Sequence, residues 1–205
     1  MITELFDALH FAALRHRHQL RKGAAGYPYV NHVIAVADLL AQNGVDDLIT
    51  LQAALLHDTI EDTETTPDEL AGRFGPEVRD LVLEVTDDKN LPKNERKHLQ
   101  IAHAPGLSER ARRIKIADKT CNVLDVAHDP PPDWSVTRRE DYLEWADAVV
   151  SQILGVGPLQ QVRAEVPVDR ALMTLNDGSE CSTITALHQL DQLMILQRSH
   201  PPGRR

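Results

Sequence analysis

Apolar positions along this chain recur at three- and four-residue spacing, the period of helices that each bury one face. Residues 3–19 place Leu5, Leu9, Ala12 and Ala13 on one side, and Gly23, Gly26 and Pro28 end that helix. Asn31 is a candidate cap for the next, where Val33, Ile34, Ala37 and Leu40 keep helical spacing as far as Asn43 and Gly44. Residues 48–60 read as one buried helix. Thr66, with Pro67 in the first turn and Glu69 three residues on, starts another. After Phe74, Gly75 and Pro76, an apolar stripe of Val78, Leu81, Val82 and Val85 leads into a polar loop over 86–93. Further helices are predicted over 93–103, from Ser108 through Ile114, Ile116, Ala117, Val123 and Val126, and over 138–154. Three consecutive prolines make 128–134 a loop between the last two. Nothing to this point alternates like a strand, so the predicted class is all-α.

Beyond about residue 157 the pattern changes. Residues 166–174 and 182–184 are richer in β-branched side chains, Asn176, Asp177 and Gly178 form a turn signal, and 185–197 return to helical spacing. This division predicts a domain over 1–156 and a C-terminal extension over 157–205 whose structure the pattern leaves open.

Composition narrows the class. The 205 residues are 42% hydrophobic but only 4% aromatic, so Leu, Val, Ile and Ala must form the core. No apolar run of about 18 residues is present, and the acidic opening is not that of a secretory signal. Cys121 and Cys181 are too few and too isolated for a disulfide framework. These features predict a cytoplasmic protein with no membrane partner. The net charge of -9 argues against a general nucleic-acid binder. Within that acidic chain, Arg15, Arg17, Arg21 and Lys22 lie in one short basic run. It is either a solvated face or a clamp for a small polyanion.

The candidate chemistry lies at the end of the buried segment 48–60. His57, Asp58, Glu61 and Asp62 close an otherwise apolar stretch. On a regular helix His57 stacks over Glu61 and Asp58 over Asp62. An imidazole and three carboxylates beside apolar side chains are costly to desolvate unless a cation or a proton offsets them. Two other polar residues are equally out of place: His32, opening an apolar helix, and Asp118, in the stripe of Ile114, Ile116 and Ala117. Each has a local explanation, a hydrogen-bonded core histidine or an ion pair with Lys115 or Lys119. Together with His57 and Asp58 they suggest a metal site.

The order His, His-Asp, Asp is the signature of the HD metallohydrolase superfamily. The chain resembles its small stand-alone alarmone hydrolases, which are related to the hydrolase domain of RelA/SpoT enzymes and to its metazoan homologue. Matching segments include Arg21-Lys22, Tyr27-Pro28-Tyr29-Val30-Asn31-His32, and Leu55-Leu56-His57-Asp58-Thr59-Ile60-Glu61-Asp62. Lys115-Ile116-Ala117-Asp118-Lys119 with Asn122, and Tyr142-Leu143-Glu144-Trp145-Ala146, also fit. The resemblance runs through residues 3–155 and implies an HD-domain helical bundle. It implies that His32, His57, Asp58 and Asp118 hold one Mn2+ ion and that Glu61 and Asp62 are catalytic. Arg21, Lys22, Asn122 and Tyr142 would contact the nucleotide, with Lys89, Lys93 and Lys97 as further candidates. The implied reaction removes the 3′-diphosphate of guanosine 3′,5′-bis(diphosphate), (p)ppGpp, to give GDP or GTP and pyrophosphate. Another nucleotide such as NADPH, or a non-catalytic nucleotide sensor, is the alternative, and a homo-oligomer is compatible with the sequence. Val33 replaces a proline usual in the family; Thr120, Cys121 and Leu124 are further departures, expected on the nucleotide side.

Overall fold

The computed structural model describes residues 2–155. Within them the chain forms α1 (Ile2–Arg15), α2 (Val30–Gln42), α3 (Leu48–Leu56) and the single turn α4 (Thr59–Asp62). There follow α5 (Pro67–Phe74), α6 (Pro76–Val85), α7 (Lys93–His103), α8 (Glu109–His128) and α9 (Val136–Leu154). A 3-10 turn at Ala104–Gly106 joins α7 to the segment before α8. Among the described residues there is no strand, only an isolated bridge between Leu20 and Pro28. The all-α expectation holds there. The features anticipated beyond residue 157, with Cys181, lie outside the described residues.

Two inner helices organise the rest. α3 packs against α1, α2, α6 and α8, while α8 also packs against α2, α6 and α9. The second half of α3 and the middle of α8 are buried, while the ends of α8 carry exposed polar residues such as Glu109 and Asp125. In α3 the buried positions run unbroken from Gln52 to Leu56. In α8 they include Asp118, Lys119 and Thr120 beside Ile114, Ile116 and Val123. Each fully buried Leu or Ile, such as Leu40, Leu56 and Ile114, contributes about 1.5–3 kcal/mol through removal from water. The helices begin where side chains can accept the free amide hydrogens of a first turn: Thr66, Ser108 and Ser135 accept from Glu69, Ala111 and Arg138, each at 3.2 Å. Gly75, at φ 91°, lets α5 turn directly into α6.

Three of the differences from the expected boundaries shape the site. α1 stops at Arg15 rather than at 19. Its continuation is replaced by a turn, Gln19 N–H to His16 O at 2.9 Å, and by pairing of 19–21 with 27–29. Tyr29 N–H donates to Gln19 O at 2.9 Å and Arg21 N–H to Tyr27 O at 2.8 Å. Secondly, α2 starts at Val30 after Tyr29, with no side-chain cap, so Asn31 lies inside the first turn. Thirdly, the expected helix over 48–60 divides at His57 and Asp58. Asp58 takes φ -98°, ψ -1°, and Thr59 Oγ1 donates to the freed Leu56 carbonyl at 2.6 Å.

Candidate metal centre and nucleotide cavity

The division of the helix at His57 is what assembles the site. Adjacent residues on a regular helix point about 100° apart. Here His57 Nε2 and Asp58 Oδ2 approach to 3.0 Å. From the first turn of α2, His32 Nε2 lies 3.8 Å from the same Asp58 oxygen and 3.2 Å from Asp118 Oδ1, which α8 supplies. His57 Nε2 to Asp118 Oδ1 closes the ring at 3.7 Å. His32, His57 and Asp118 each offer a ligand atom within 4.8 Å of the others, and all three residues are buried. The expected four residues thus meet in one place.

Their chemistry fits a divalent cation. His57 Nδ1 bonds to the Ala54 carbonyl at 2.8 Å, so Nδ1 carries the hydrogen and Nε2 is the atom turned to the cluster. The Nε2 atoms of both imidazoles are buried without a hydrogen-bond partner. Orphaned ring nitrogens facing two carboxylate oxygens suit a borderline metal ion. Without a cation, protons must balance these charges. Burial pushes His57 down, but Asp58 and Asp118 outweigh it and raise its pKa to about 10. For His32 burial prevails and lowers the pKa. Burial acts to raise Asp58 and Asp118, yet both are held below the ordinary carboxylate range, Asp58 chiefly by His57 and Asp118 chiefly by Lys119.

Residues around the cluster orient it. Asp58 Oδ2 accepts the Tyr29 hydroxyl hydrogen at 2.6 Å. Asp118 Oδ1 accepts from Asn122 Nδ2 at 2.5 Å, and its Oδ2 from the buried Lys119 Nζ at 3.0 Å. Arg21 in turn donates to Asn122 Oδ1 at 2.6 Å and to Asp125 Oδ2. The ion pair of Asp118 with Lys119, one of the two partners the sequence offered, is present; Tyr29 was given no role from sequence, its one signal being its place before Val30-Asn31-His32.

A cavity of about 640 Å³ opens beside His32, lined by Arg21, Lys22, Asp62, Lys89, Asn122 and Tyr142 among others. The Trp134 and Tyr142 rings meet at a tilt of 55° (centroids 5.5 Å apart), and Tyr142 and Trp145 at 57° (5.4 Å). A second cavity of about 130 Å³ is lined by His57, Asp58, Glu61, Asp118 and Lys119. The two carboxylates at the end of the divided helix therefore face different spaces, Glu61 the small one and Asp62 the large one. Glu61 accepts the Asp87 amide hydrogen at 3.2 Å and lies 3.5 Å from Arg96. Burial first, then the charges of Asp58 and Asp87, raise its pKa. Asp62 accepts from Gln19 Nε2 at 2.8 Å and pairs with Lys89.

The other basic residues divide. Arg15 pairs with Glu69, and Arg17 bonds to the neighbouring His18 on the surface. Lys93 and Lys97 do not line the large cavity. Lys97 lies over the Trp145 ring, and the pKa of each is lowered by burial and then by neighbouring cations. Of the departures, Leu124 lines the cavity as expected. Thr120 and Cys121 do not: Thr120 bonds back to Ile116 O at 2.9 Å, and Cys121 is buried.

A family model described as an HD domain matches residues 8–146. The chain belongs to the HD domain family. This HD domain is similar to the human guanosine-3′,5′-bis(diphosphate) 3′-pyrophosphohydrolase MESH1, 51% identical over 154 residues that span 75% of this chain and 86% of the human one. The protein of the same name from Drosophila melanogaster is 45% identical over the same shares. A solved structure of a metazoan orthologue of SpoT, one that hydrolyses ppGpp, superimposes with a TM-score of 0.73 and 37% identity, covering 97% of this chain and 96% of that one. No described helix of this HD domain is long and apolar enough to cross a membrane.

Proposed function

We propose that this HD domain is a Mn2+-dependent pyrophosphohydrolase of guanosine 3′,5′-bis(diphosphate). The observation that carries the reading is the meeting of two orphaned imidazole nitrogens and two carboxylate oxygens beside a cavity lined by Arg21 and Lys22. The named activity of the relatives supports the same substrate.

In this reading His32, His57, Asp58 and Asp118 hold one ion. A divalent cation there would supply Lewis-acid polarisation of a phosphoryl oxygen and lower the pKa of water. The guanosine occupies the large cavity, with its ring near Tyr142 and Trp134 and its phosphates near Lys22 and Lys89. Lys93, Lys97 and Arg138, which crowd one another electrostatically, serve the more distant diphosphate. Arg21, tied to Asn122 and Asp125, acts through the orientation of Asn122 as well as through its charge. Glu61, in the small cavity beside the metal residues, takes a proton from the attacking water; a carboxylate raised by burial is suited to that task. Water oxygen bonds to the phosphorus nearest the ribose, the bond from that phosphorus to O3′ breaks, and pyrophosphate leaves. Asp62, with Lys89, stands on the nucleotide side, where the O3′ oxygen takes a proton from bulk water as the bond breaks, and Glu61 returns the proton it took to bulk water.

The test is incubation of the purified full chain with ppGpp and, separately, NADPH, with Mn2+ and with chelator. Pyrophosphate and GDP from ppGpp, dependent on the ion, is the expected result. Orthophosphate from NADPH without turnover of ppGpp replaces the substrate assignment, and tight binding of ppGpp with no turnover replaces the enzyme by a sensor.

A further inference from the structure

Asp62 is held by a residue that is itself held. Gln19 donates its Nε2 hydrogen to Asp62 Oδ2 at 2.8 Å, while its Oε1 faces His16 Nδ1 at 2.7 Å. Gln19 is fixed in the backbone as well: its amide hydrogen goes to His16 O, and its carbonyl takes the Tyr29 amide hydrogen, both at 2.9 Å. His16 is 2% exposed and stacks on Tyr29 with centroids 5.0 Å apart. Its Nε2 is buried without a partner; Asp62 only accepts, so Gln19 turns its NH2 to Asp62 and its Oε1 to His16, and the ring hydrogen belongs on Nδ1.

That hydrogen locks the Gln19 amide in the orientation that Asp62, an acceptor only, requires. With Nδ1–H donating to Oε1, the amide NH2 must face Asp62; a flipped amide would set a carbonyl oxygen against a carboxylate and two N–H donors against each other. A buried histidine with an orphaned nitrogen costs stability that an apolar residue would not. Its presence here makes sense as a determinant of polarity. Tyr29, paired to Gln19 through its amide hydrogen, bonds Asp58, so one frame orients a carboxylate of the metal cluster and a carboxylate of the nucleotide side.

We propose that His16 and Gln19 are positioning residues that aim the Asp62 carboxylate into the reaction, a role that rests on the hydrolase reading above. Neither residue touches the reacting atoms. Partners of metal ligands cost about 10–100-fold in activity when lost, and the same order is expected for partners of Asp62.

The experiment compares wild type with His16→Leu, His16→Asn, Gln19→Met and Asp62→Asn. Activity is measured as kcat and KM for ppGpp, metal affinity by calorimetry, and the Gln19 side-chain amide by NMR in the metal-free protein. His16→Leu and Gln19→Met are expected to lower kcat about 10–100-fold while KM and metal affinity stay within about twofold. His16→Asn, whose amide N–H can replace Nδ1–H, recovers at least half of that loss on a logarithmic scale. The Gln19 amide protons shift toward those of free glutamine in both His16→Leu and Asp62→Asn. Wild-type kcat in Gln19→Met, a kcat loss matched by metal loss, or a Gln19 amide unmoved in Asp62→Asn overturns the assignment. If the wild type releases no pyrophosphate, the hydrolase reading fails by itself, and the amide measurement still decides whether the relay exists. Gln19→Met, at the less buried end, serves if His16→Leu does not fold.

Discussion

Tyr29 donates its phenolic hydrogen to Asp58 Oδ2 at 2.6 Å, and that same oxygen faces His57 Nε2 at 3.0 Å. Burial first, then the adjacent Asp58 charge, pushes the phenol pKa upward, so Tyr29 is a donor at neutral pH. Its hydrogen occupies one lone pair of Asp58 and leaves the other directed at the cluster. The tyrosine is thus part of how a carboxylate released by a helix break is kept in place.

Tyr29→Phe removes only that bond. Metal affinity is expected to fall about 10-fold or more, in the range found when partners of ligating residues are lost. Calorimetric titration with Mn2+ measures it; an unchanged affinity would show that Asp58 needs no such support.

Removing His57 or Asp118 has a larger effect. His57→Ala and Asp118→Ala should abolish metal retention and activity together. In the wild type, free metal at 100 times its Kd stabilises the fold by about 2.7 kcal/mol, equivalent to roughly 5–10 °C in Tm. Thermal melts with Mn2+ and with chelator should show that increment in the wild type and none in either variant.

The pH dependence reverses sign between the metal-free and metal-bound protein. Without metal, His57 is raised to about 10. Its contribution to stability is then fully present below the unfolded value of about 6.5 and lost as the pH rises through about 10. Metal requires the deprotonated imidazole, so its affinity should increase with pH over that window, with a proton released on binding. Calorimetry in buffers of different ionisation enthalpy counts the proton. Zero release at pH 7.5 contradicts a charged His57.

The metal residues were legible because each is polar in an apolar run: His57 after Leu55 and Leu56, Asp118 after Ile116 and Ala117. The helix break at His57 and Asp58 was not, because no glycine or proline marks it; a tertiary bond from Tyr29 to Asp58 and a local one from Thr59 to the Leu56 carbonyl accompany it. The end of α1 at Arg15 was hidden for the same reason, since the first breaker is Gly23 and the turn at 16–19 depends on pairing with 27–29. Gln19 could not be linked to Asp62, 43 residues away, until that pairing was known. Sequence spacing therefore located residues that belong to a helix and missed those that belong to a contact.

Gly23 tests how the loop presents Lys22. A Cβ there would lie 2.5 Å from both the Asp129 carbonyl oxygen and its Cγ, and Asp129 already accepts the Ala25 amide hydrogen at 3.2 Å. Backbone cannot yield as a flexible side chain would. Gly23→Ala should displace the loop, raise KM for ppGpp about tenfold by our estimate from lost uniform binding, and leave metal affinity unchanged. Steady-state kinetics with a parallel metal titration separates this from general unfolding, which would reduce both.

Glu61 carries the clearest opposition between stability and function. Its pKa is raised by burial first and by Asp58 and Asp87 next. A raised carboxyl contributes stability that is present below its unfolded value and lost as the pH rises through the folded one. At pH 7 the ionised Glu61 is therefore a burden to the fold, and Glu61→Gln, which keeps its shape, should raise Tm at pH 7 but not at pH 4. The same change removes the general base and should lower kcat about 10²–10⁴-fold with metal affinity retained. As the base must be ionised, wild-type kcat should fall on acidification, with a midpoint that burial and Asp87 raise and a bound cation lowers. Asp87→Asn, by deleting one repelling charge, should move that midpoint to lower pH. Melting curves at the two pH values, together with pH–rate profiles of both variants, decide the matter. A Glu61→Gln protein that is less stable at pH 7, or that turns over at the wild-type rate, removes Glu61 from the proton transfer and leaves Asp62 as the carboxylate to test next.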